Sequence, residues 1–354
     1  MTISTKPVTK PTRRSVLGAG ALAVALTLGV VGAPATAQAQ DAQDYLLATA
    51  STGGTYYPVG VALSTLIKVR LQPSMGINVS AINSAGSGEN IALLRDDEAQ
   101  FAIVQGLFGA YAATGTGPLA DAGPQESLRS ITMLWQNVEH VVIRSEHVDT
   151  GTVSDIAALA GESMSMGRQN SGTIGSNRTI LAGLGIDMDE TFELVYAGYG
   201  PSADALQNGQ IAGMSTPAGA PVGAVSRAFA AMGDDITLLN FTDEQVVAAN
   251  GDFDALWTRY TIEAGTYPGV DEDVQTIAQP NFLMVRDDLP EETIYEITKT
   301  IYENLAFLGG IHPATQVMGL DSAIAGLPLP LHPGAIRYYE EVGIDIPDRL
   351  RPAM

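Results

Sequence analysis

The chain has 354 residues, of which 45% are hydrophobic and 16% are charged, a balance typical of a globular protein long enough for two domains. Its 39 acidic residues outnumber its 18 basic residues, and the net charge of −21 argues against nucleic acid and anionic membrane surfaces as partners. There is no cysteine, so the sequence excludes disulfides and lipid attachment through a cysteine.

Residues 1–39 have the features of an export signal. Four basic residues precede an uncharged run that begins at Ser15, and small residues then provide two cleavage sites. The segment from Thr12 to Leu17 resembles a twin-arginine signal, and an ordinary secretory signal is the alternative. We therefore expect a periplasmic protein whose mature chain begins near Gln38 or Gln40.

After this segment, strands and helices are predicted to alternate. The predicted strands are 45–50, 77–83, 101–105, 163–167, 192–196, 211–215, 236–241 and 282–285, with extended segments over 131–144. The predicted helices are 57–70, 89–95, 107–114, 153–160, 173–184, 203–208, 222–231 and one that begins at Pro290, with an apolar stripe from Ile294 to Leu308. This alternation predicts βαβ units and a mostly parallel sheet, while segment 242–280 is expected to be irregular.

The pattern predicts two α/β lobes joined by a hinge, with a ligand cleft between them. The first lobe is expected to contain residues 44–137 together with 243–354, and the second lobe residues 138–242. The segment 131–144 is the expected crossing between the two lobes.

Three predicted strand-to-helix turns are small and polar. They begin at Ser51, Asn83 and Gly167. Parallel sheets place such turns at the carboxyl ends of their strands, where unpaired N–H groups at the start of a helix bind anions. None is a phosphate-binding P-loop, because no Gly-Lys-Ser/Thr follows. Helix capping alone is the alternative, but three such turns favour a polar-ligand site.

These turns and two later motifs resemble those of the TAXI family, the solute receptors of one class of tripartite (TRAP) transporters. The motifs are Ser51-Thr52-Gly53-Gly54-Thr55-Tyr56-Tyr57-Pro58-Val59-Gly60, Ser84-Ala85-Gly86-Ser87-Gly88-Glu89-Asn90, Gly167-Arg168-Gln169-Asn170-Ser171-Gly172-Thr173, Thr216-Pro217-Ala218-Gly219-Ala220-Pro221 and His332-Pro333-Gly334-Ala335-Ile336-Arg337-Tyr338-Tyr339. The resemblance extends from about residue 45 to residue 343. Asn170 stands where the family usually has glycine.

The resemblance implies a periplasmic-binding-protein fold of the type II topology and a receptor without catalytic activity, cofactor or metal. Such a receptor is expected to act as a monomer. It would bind a small organic anion, of the glutamate, 2-oxoglutarate or C4–C5 dicarboxylate class, and deliver it to a TRAP-type membrane permease. The alternatives are a receptor for an ABC importer or a sensor kinase, and a periplasmic enzyme on the same fold.

The expected ligand contacts come from the turns and from the strand end at Gln105. They are Ser51, Thr52, Gly53, Gly54, Thr55, Tyr56, Asn83, Ser84, Ser87, Gln105, Arg168, Ser171, Gly172, Thr173, Pro217, Ala218 and Gly219. Gln105 either donates to the ligand or caps the next helix. Arg168, the only basic residue in the three turns, either binds a ligand carboxylate or lies at the surface, where ion pairs contribute little. Tyr57, Trp135 and Tyr199 either line the cleft or pack in the core, and core packing is the favoured interpretation.

The four histidines give no sign of an enzyme, because none is near a Gly-x-Ser-x-Gly nucleophile motif. His140 and His147 accompany Glu139 and Glu146 on a predicted strand. A surface metal site is one interpretation of this group. Scattered polar residues on a half-exposed strand are the favoured one.

Overall fold

The computed structural model describes residues 42–352. The predicted export signal and its cleavage sites lie outside these residues. Within them strands and helices alternate along the chain, and the predicted α/β class is confirmed. No helix in the described range is long and apolar enough to cross a membrane.

The strands form two separate sheets. In chain order the strands are β1 (Gln43–Ala48), β2 (Ile77–Ile82), β3 (Phe101–Gln105), β4 (Leu128–Val138), β5 (Val141–Arg144), β6 (Ser163–Ser165), β7 (Glu193–Leu194), β8 (Gly213–Ser215), β9 (Ile236–Leu238), β10 (Thr258–Ile262) and β11 (Val274–Arg286). We call the part of the molecule around β1–β4, β10 and β11 lobe I and the part around β5–β9 lobe II.

In both sheets a parallel part is joined to antiparallel strands. In lobe I, β1 lies parallel between β2 and β3, and β11 pairs antiparallel with β3, β4 and β10. In lobe II, β6 lies parallel between β7 and β8, and β5 pairs antiparallel with β8 and β9. Within each parallel part, the turns that follow the strands therefore lie at one edge of the sheet.

Helices follow most of the parallel strands, as expected for βαβ units. In chain order they are α1 (Tyr56–Met75), α2 (Ser87–Arg95), α3 (Gly106–Thr114), α4 (Gly172–Gly183), α5 (Met188–Thr191), α6 (Tyr199–Gln207), α7 (Gly223–Met232), α8 (Asp243–Asn250), α9 (Glu291–Glu303), α10 (Leu305–Ile311) and α11 (Pro333–Glu341). α1 buries its apolar residues Val59, Leu63 and Leu66 against lobe I and ends at Gly76, whose left-handed φ of 70° suits glycine.

Several predicted elements differ from the structure for local reasons. The apolar stripe after Pro290 is divided into α9 and α10, because Asn304, with φ of −130° and ψ of 27°, leaves the helical conformation. The predicted helix 153–160 is a 3-10 helix, Val153–Leu159. The segment expected to be irregular contains α8, whose capping box joins Thr242 and Gln245. That Thr-x-x-Gln pattern is a helix-start signal visible in the sequence.

Two segments connect the lobes. The first is the pair Glu139 and His140, between β4 and β5, and the second is the stretch between β9 and β10. The predicted lobe boundaries at residues 138 and 242 lie at these connections and stay a prediction.

Glu139 and His140 are buried at the first connection, so the predicted half-exposed strand is wrong for this pair. They are 1% and 0% exposed. Trp257 Nε1 donates to Glu139 Oε1 at 3.1 Å, and His140 contacts Val138 O at 2.8 Å and Tyr267 Oη at 2.7 Å. Because a carbonyl only accepts, His140 Nδ1 donates to Val138 O. Burial disfavours the charged imidazole, so Nε2 carries no proton and accepts from Tyr267 Oη.

Burial shifts the pKa values of these two groups in opposite directions. It raises the pKa of Glu139 to about 8, above its ordinary 4.5, and lowers the pKa of His140 to about 4, below its ordinary 6.5. Between pH 4.5 and 8 the folded Glu139 holds a proton that the unfolded chain releases, so this group's stabilising contribution falls as the pH rises. The stabilising contributions of His140, His312 and His332, whose pKa values burial also lowers, change mainly below about pH 7. A variant that changes only residue 139 therefore isolates the contribution of Glu139 between pH 6.5 and 8.

We expect Glu139→Gln to flatten the decrease in unfolding free energy between pH 6.5 and 8, which we put at roughly 2 kcal/mol for this group. Glutamine keeps an acceptor for Trp257 and cannot ionise. Urea denaturation at both pH values measures the slope. Glu146→Gln, which changes an exposed carboxylate nearby, should keep the slope of the parent protein. An unchanged slope in Glu139→Gln would contradict the assignment.

Candidate ligand-binding site

The starts of four helices converge on one cavity between the lobes. α1 and α2 follow β1 and β2 of lobe I, and α4 and α6 follow β6 and β7 of lobe II. First-turn residues of all four helices lie in the cavity wall. The cavity therefore lies at the carboxyl ends of parallel strands of both sheets, as predicted from the three turns.

The cavity has about 460 Å³ of empty space, counted with the space open to solvent at its mouth. Its lining residues are Ala50, Ser51, Gly54, Thr55, Tyr56, Ala85, Gly86, Ser87, Gln105, Asn137, Arg168, Ser171, Gly172, Thr173, Ala197, Gly198, Tyr199, Pro217 and Ala218. None of these described residues is an aspartate or glutamate. The wall contains small side chains, hydroxyl groups, two amides, two tyrosines and one arginine.

The electrostatics of this wall favour a negative charge. In the described part of the chain, the N–H groups of Tyr56, Ser87 and Thr173 have no hydrogen-bond acceptor. The positive ends of four helix dipoles add to these donors, and each contributes roughly 0.3–1 kcal/mol toward an anion. The nearby carboxyl of Glu139 does not oppose this field at neutral pH, because burial keeps it largely protonated.

Arg168 lies in the cavity wall at the third turn. Its Nη1 donates to Ser84 O of lobe I at 3.0 Å, and no described carboxylate lies within ion-pair distance of it. The turn places it there through two left-handed residues, Gly167 with φ of 110° and Asn170 with φ of 60°. Asparagine tolerates this conformation better than most residues, which explains how it stands where the related motif has glycine.

Gln105 connects the lobes and does not cap α3. Its Nε2 donates to Gly172 O at 3.0 Å and to Ser176 Oγ at 2.8 Å, both in α4, and α3 has no side-chain cap. It is 2% exposed. Gln105 therefore holds the start of α4 against lobe I.

Direct hydrogen bonds between the lobes show that the structure is closed. Tyr199 N donates to Ser51 Oγ at 3.1 Å, and Ala224 N donates to Gly53 O at 3.2 Å. Thr55 Oγ1 donates to Gly219 O at 2.7 Å.

Most of the predicted site residues come together. Ser51, Gly54, Thr55, Tyr56, Ser87, Gln105, Arg168, Ser171, Gly172, Thr173, Pro217 and Ala218 line the cavity. Their roles toward a ligand stay a prediction.

Five predicted residues lie outside the wall. Thr52 and Gly53 lie at the outer mouth of the cleft. Asn83 Nδ2 donates to Ala50 O at 2.6 Å, and Ser84 Oγ donates to Thr49 O at 2.9 Å, so both side chains support the turn after β1. Gly219 borders a second cavity beside Trp135.

Sequence reasoning missed a fourth turn and one strand residue. Ala197, Gly198 and Tyr199 lead into α6, and the Tyr199 hydroxyl donates to Pro217 O at 2.7 Å. The signal was a glycine before a helix, as in the other three turns. Asn137 lies inside β4, where no local pattern indicates a site.

The sequence profile of a known family matches most of the chain. It is described as the NMT1-like family, and the match covers residues 47–343. The chain belongs to the NMT1-like family. The matched range includes the end of β1, all of β2–β11 and every residue of the cavity wall.

Solved structures with a similar fold are distant in sequence. The alkanesulfonate-binding protein SsuA from Xanthomonas axonopodis pv. citri, bound to MOPS, is 12% identical with a TM-score of 0.45, over 86% of this chain and 92% of that chain. MatC from Rhodopseudomonas palustris, with bound malate, is 15% identical with a TM-score of 0.49, over 84% and 96%. A binding component of an ABC phosphonate transporter from Pseudomonas aeruginosa is 11% identical with a TM-score of 0.49, over 78% and 80%.

The two α/β lobes with a cleft between them are the periplasmic-binding-protein fold, as the sequence predicted. The NMT1-like family is a broader assignment than the TAXI family that the motifs resemble. Membership in it therefore does not distinguish between the ABC and TRAP classes of transporter.

Proposed function

We propose that this NMT1-like protein is a periplasmic receptor that captures a small organic anion and delivers it to a membrane importer. The observation that carries the proposal is the convergence of four helix starts and Arg168 on a cavity whose described lining contains no carboxylate. Anions are bound at such sites by backbone N–H groups and helix dipoles. A guanidinium group adds two parallel donors for a carboxylate.

Binding would act through lobe closure. The ligand contacts both lobes only when they are closed, and this difference in contacts shifts the population from open to closed. The closed form then presents both lobes together to the importer. No covalent step is part of this cycle, and recovery of a bound ligand unchanged by mass spectrometry would count against the enzymatic alternative.

For the membrane partner, we favour the ABC-importer alternative over the TRAP permease predicted from the motifs, because the structural neighbours include a binding component of an ABC phosphonate transporter. We therefore propose an ABC importer as the partner and retain the TRAP permease as the second candidate, because five motifs favour it. Transport assays with each purified permease and this receptor decide between them. ATP-dependent uptake supports the ABC importer, and ATP-independent, sodium-dependent uptake supports the TRAP permease.

We expect small acids of the glutamate, 2-oxoglutarate and C4–C5 dicarboxylate class to stabilise the protein. A ligand at a hundred times its Kd adds about 2.7 kcal/mol to the folded state. For a chain of this size the melting temperature should rise by roughly 5 °C. A thermal-shift screen of carboxylates, sulfonates and amino acids, followed by calorimetry, measures the effect. Equal shifts with the neutral amides of the same acids would contradict an anion site.

A further inference from the structure

Asn137 presents a buried acceptor to the cavity. It lies near the end of β4, lines the cavity and is 1% exposed. Its Oδ1 has no hydrogen-bond partner in the described part of the chain. A buried amide oxygen without a partner is costly, so such an atom in a cavity wall points to a ligand group that binds it.

The neighbouring contacts fix which amide atom of Asn137 is free. Gly172 O can only accept, so the Gln105 group that lies 3.0 Å from it is the Nε2 donor. Gln105 Oε1 must then accept, and Asn137 Nδ2 donates to it at 3.2 Å. Asn137 Oδ1 is therefore left as the free atom. The Gly172 carbonyl of lobe II thus fixes the orientation of the Gln105 amide, and Gln105 fixes that of Asn137. The oxygen of Asn137 is therefore the atom left for the ligand.

The other polar side chains of the described wall each have at least one hydrogen-bond partner. Ser51 Oγ accepts from Tyr199 N, and Ser87 Oγ accepts from Gln105 N. Thr55 Oγ1 donates to Gly219 O, and Tyr56 Oη donates to Asn281 Oδ1. Asn137 Oδ1 is thus the one unpartnered buried acceptor among the described lining side chains.

We propose that the ligand is a hydroxy acid, with its acid group at the helix starts and Arg168 and its hydroxyl group donating to Asn137 Oδ1. This inference rests on the proposed function as an anion receptor. A hydroxyl brings one donor, which matches one free acceptor. An ammonium brings a charge and three donors, and burying them against a single acceptor is unfavourable. An unsubstituted acid leaves Asn137 Oδ1 without a partner.

The test compares ligands that differ only in this substituent. The four-carbon probes are succinate, malate and aspartate, and the two-carbon sulfonate probes are ethanesulfonate, 2-hydroxyethanesulfonate and 2-aminoethanesulfonate. Ligand carried through purification is removed by unfolding and refolding before titration calorimetry. We expect the hydroxy member of a set that binds to have a Kd about tenfold or more below both other members, because pairing the buried acceptor is favourable.

Asn137→Leu should remove that preference. We expect its Kd values for the hydroxy and unsubstituted members to agree within about twofold, while the unsubstituted acid binds as in the parent protein. Gln105→Met, which frees the orientation of Asn137, should reduce the preference several-fold without abolishing binding. Gln136→Leu changes an amide at the adjacent position of β4 that does not line this cavity, and it should keep the parent's preference.

The outcomes separate this inference from the proposed function. Acids that bind without a preference for the hydroxy member would overturn the inference and leave the anion receptor standing. A preference that persists in both Asn137→Leu and Gln105→Met would overturn the role of Asn137 Oδ1. If neither the six probes nor glutamate and 2-oxoglutarate bind to the refolded parent protein, the proposed anion receptor is overturned, and the hydroxy-acid inference falls with it.

Discussion

We expect Gly53→Val to weaken ligand binding by about ten- to a hundredfold while leaving the fold cooperative. Gly53 lies at the mouth of the cleft, where a Cβ atom would stand 2.8 Å from the backbone nitrogen of Gly200 in lobe II. Backbone atoms cannot move aside as a flexible side chain can. Overpacking of this kind typically costs 1–3 kcal/mol, and here the cost falls only on the closed form.

The same substitution should cause little loss of stability in the open form, because the clash is with the opposite lobe. Calorimetry gives the Kd, and small-angle X-ray scattering with saturating ligand measures whether the lobes close. Gly223→Ala is a matched control at the same mouth, since its Cβ would meet Gly53 O at an ordinary 3.7 Å. A Gly53→Val variant that binds and closes like Gly223→Ala would show that this contact is not part of closure.

Gly54 lies against a different part of lobe II from Gly53. It lines the cavity, and a Cβ there would lie 3.0 Å from the ring of Tyr199. The sequence predicted both glycines as ligand contacts, and the structure places Gly53 at the mouth of the cleft and Gly54 in the cavity wall. Gly53 allows the backbones of the two lobes to approach each other, and Gly54 allows the ring of Tyr199 to lie against the turn. Local sequence cannot make this division, because both partners lie about 145 residues further along the chain.

The predictable part of the site is the part encoded in short turns. The turns that begin at Ser51, Asn83 and Gly167 were recognised because small polar residues separate an apolar run from a helical pattern. The turn at Gly198 was missed although the strand before it was predicted over 192–196. The next helix was predicted to begin at Ala203, whereas α6 begins at Tyr199, because Gly200 and Pro201 in its first turn are residues that usually indicate a loop.

Contacts between distant strands were beyond prediction for a different reason. Asn137 occurs in the mostly apolar run of β4, and its role depends on Gln105, 32 residues earlier, and on Gly172, 35 residues later. The pattern of β4 shows that the strand is buried. It does not show which polar atom lacks a partner, because that depends on which elements pack against the strand. Glu139 and His140 were placed on a surface for the same reason.

We expect Arg168→Ala to weaken binding of a carboxylate ligand by about ten- to a hundredfold. The guanidinium group donates to Ser84 O with one nitrogen and has no carboxylate partner among the described residues, so its remaining donors are available to an anion in the cavity. A charge-assisted hydrogen bond of this kind contributes roughly 1.5–3 kcal/mol. Arg168→Lys should recover only part of the affinity, since an ammonium group lacks the two-point fork.

The contact with Ser84 O provides a competing explanation, because removing it would weaken closure around every ligand equally. Calorimetry on an acid and on its neutral amide separates the two effects, since only a ligand charge contact gives a selective loss for the acid. Arg178→Ala is the matched control on the same lobe, because Arg178 pairs with Asp189 at the exposed surface, 2.8 Å away, and such pairs contribute little. An equal loss for acid and amide would assign Arg168 to closure alone, and a Kd within twofold of the parent protein would show that it contributes to neither closure nor binding. Either result would leave the helix starts as the anion site.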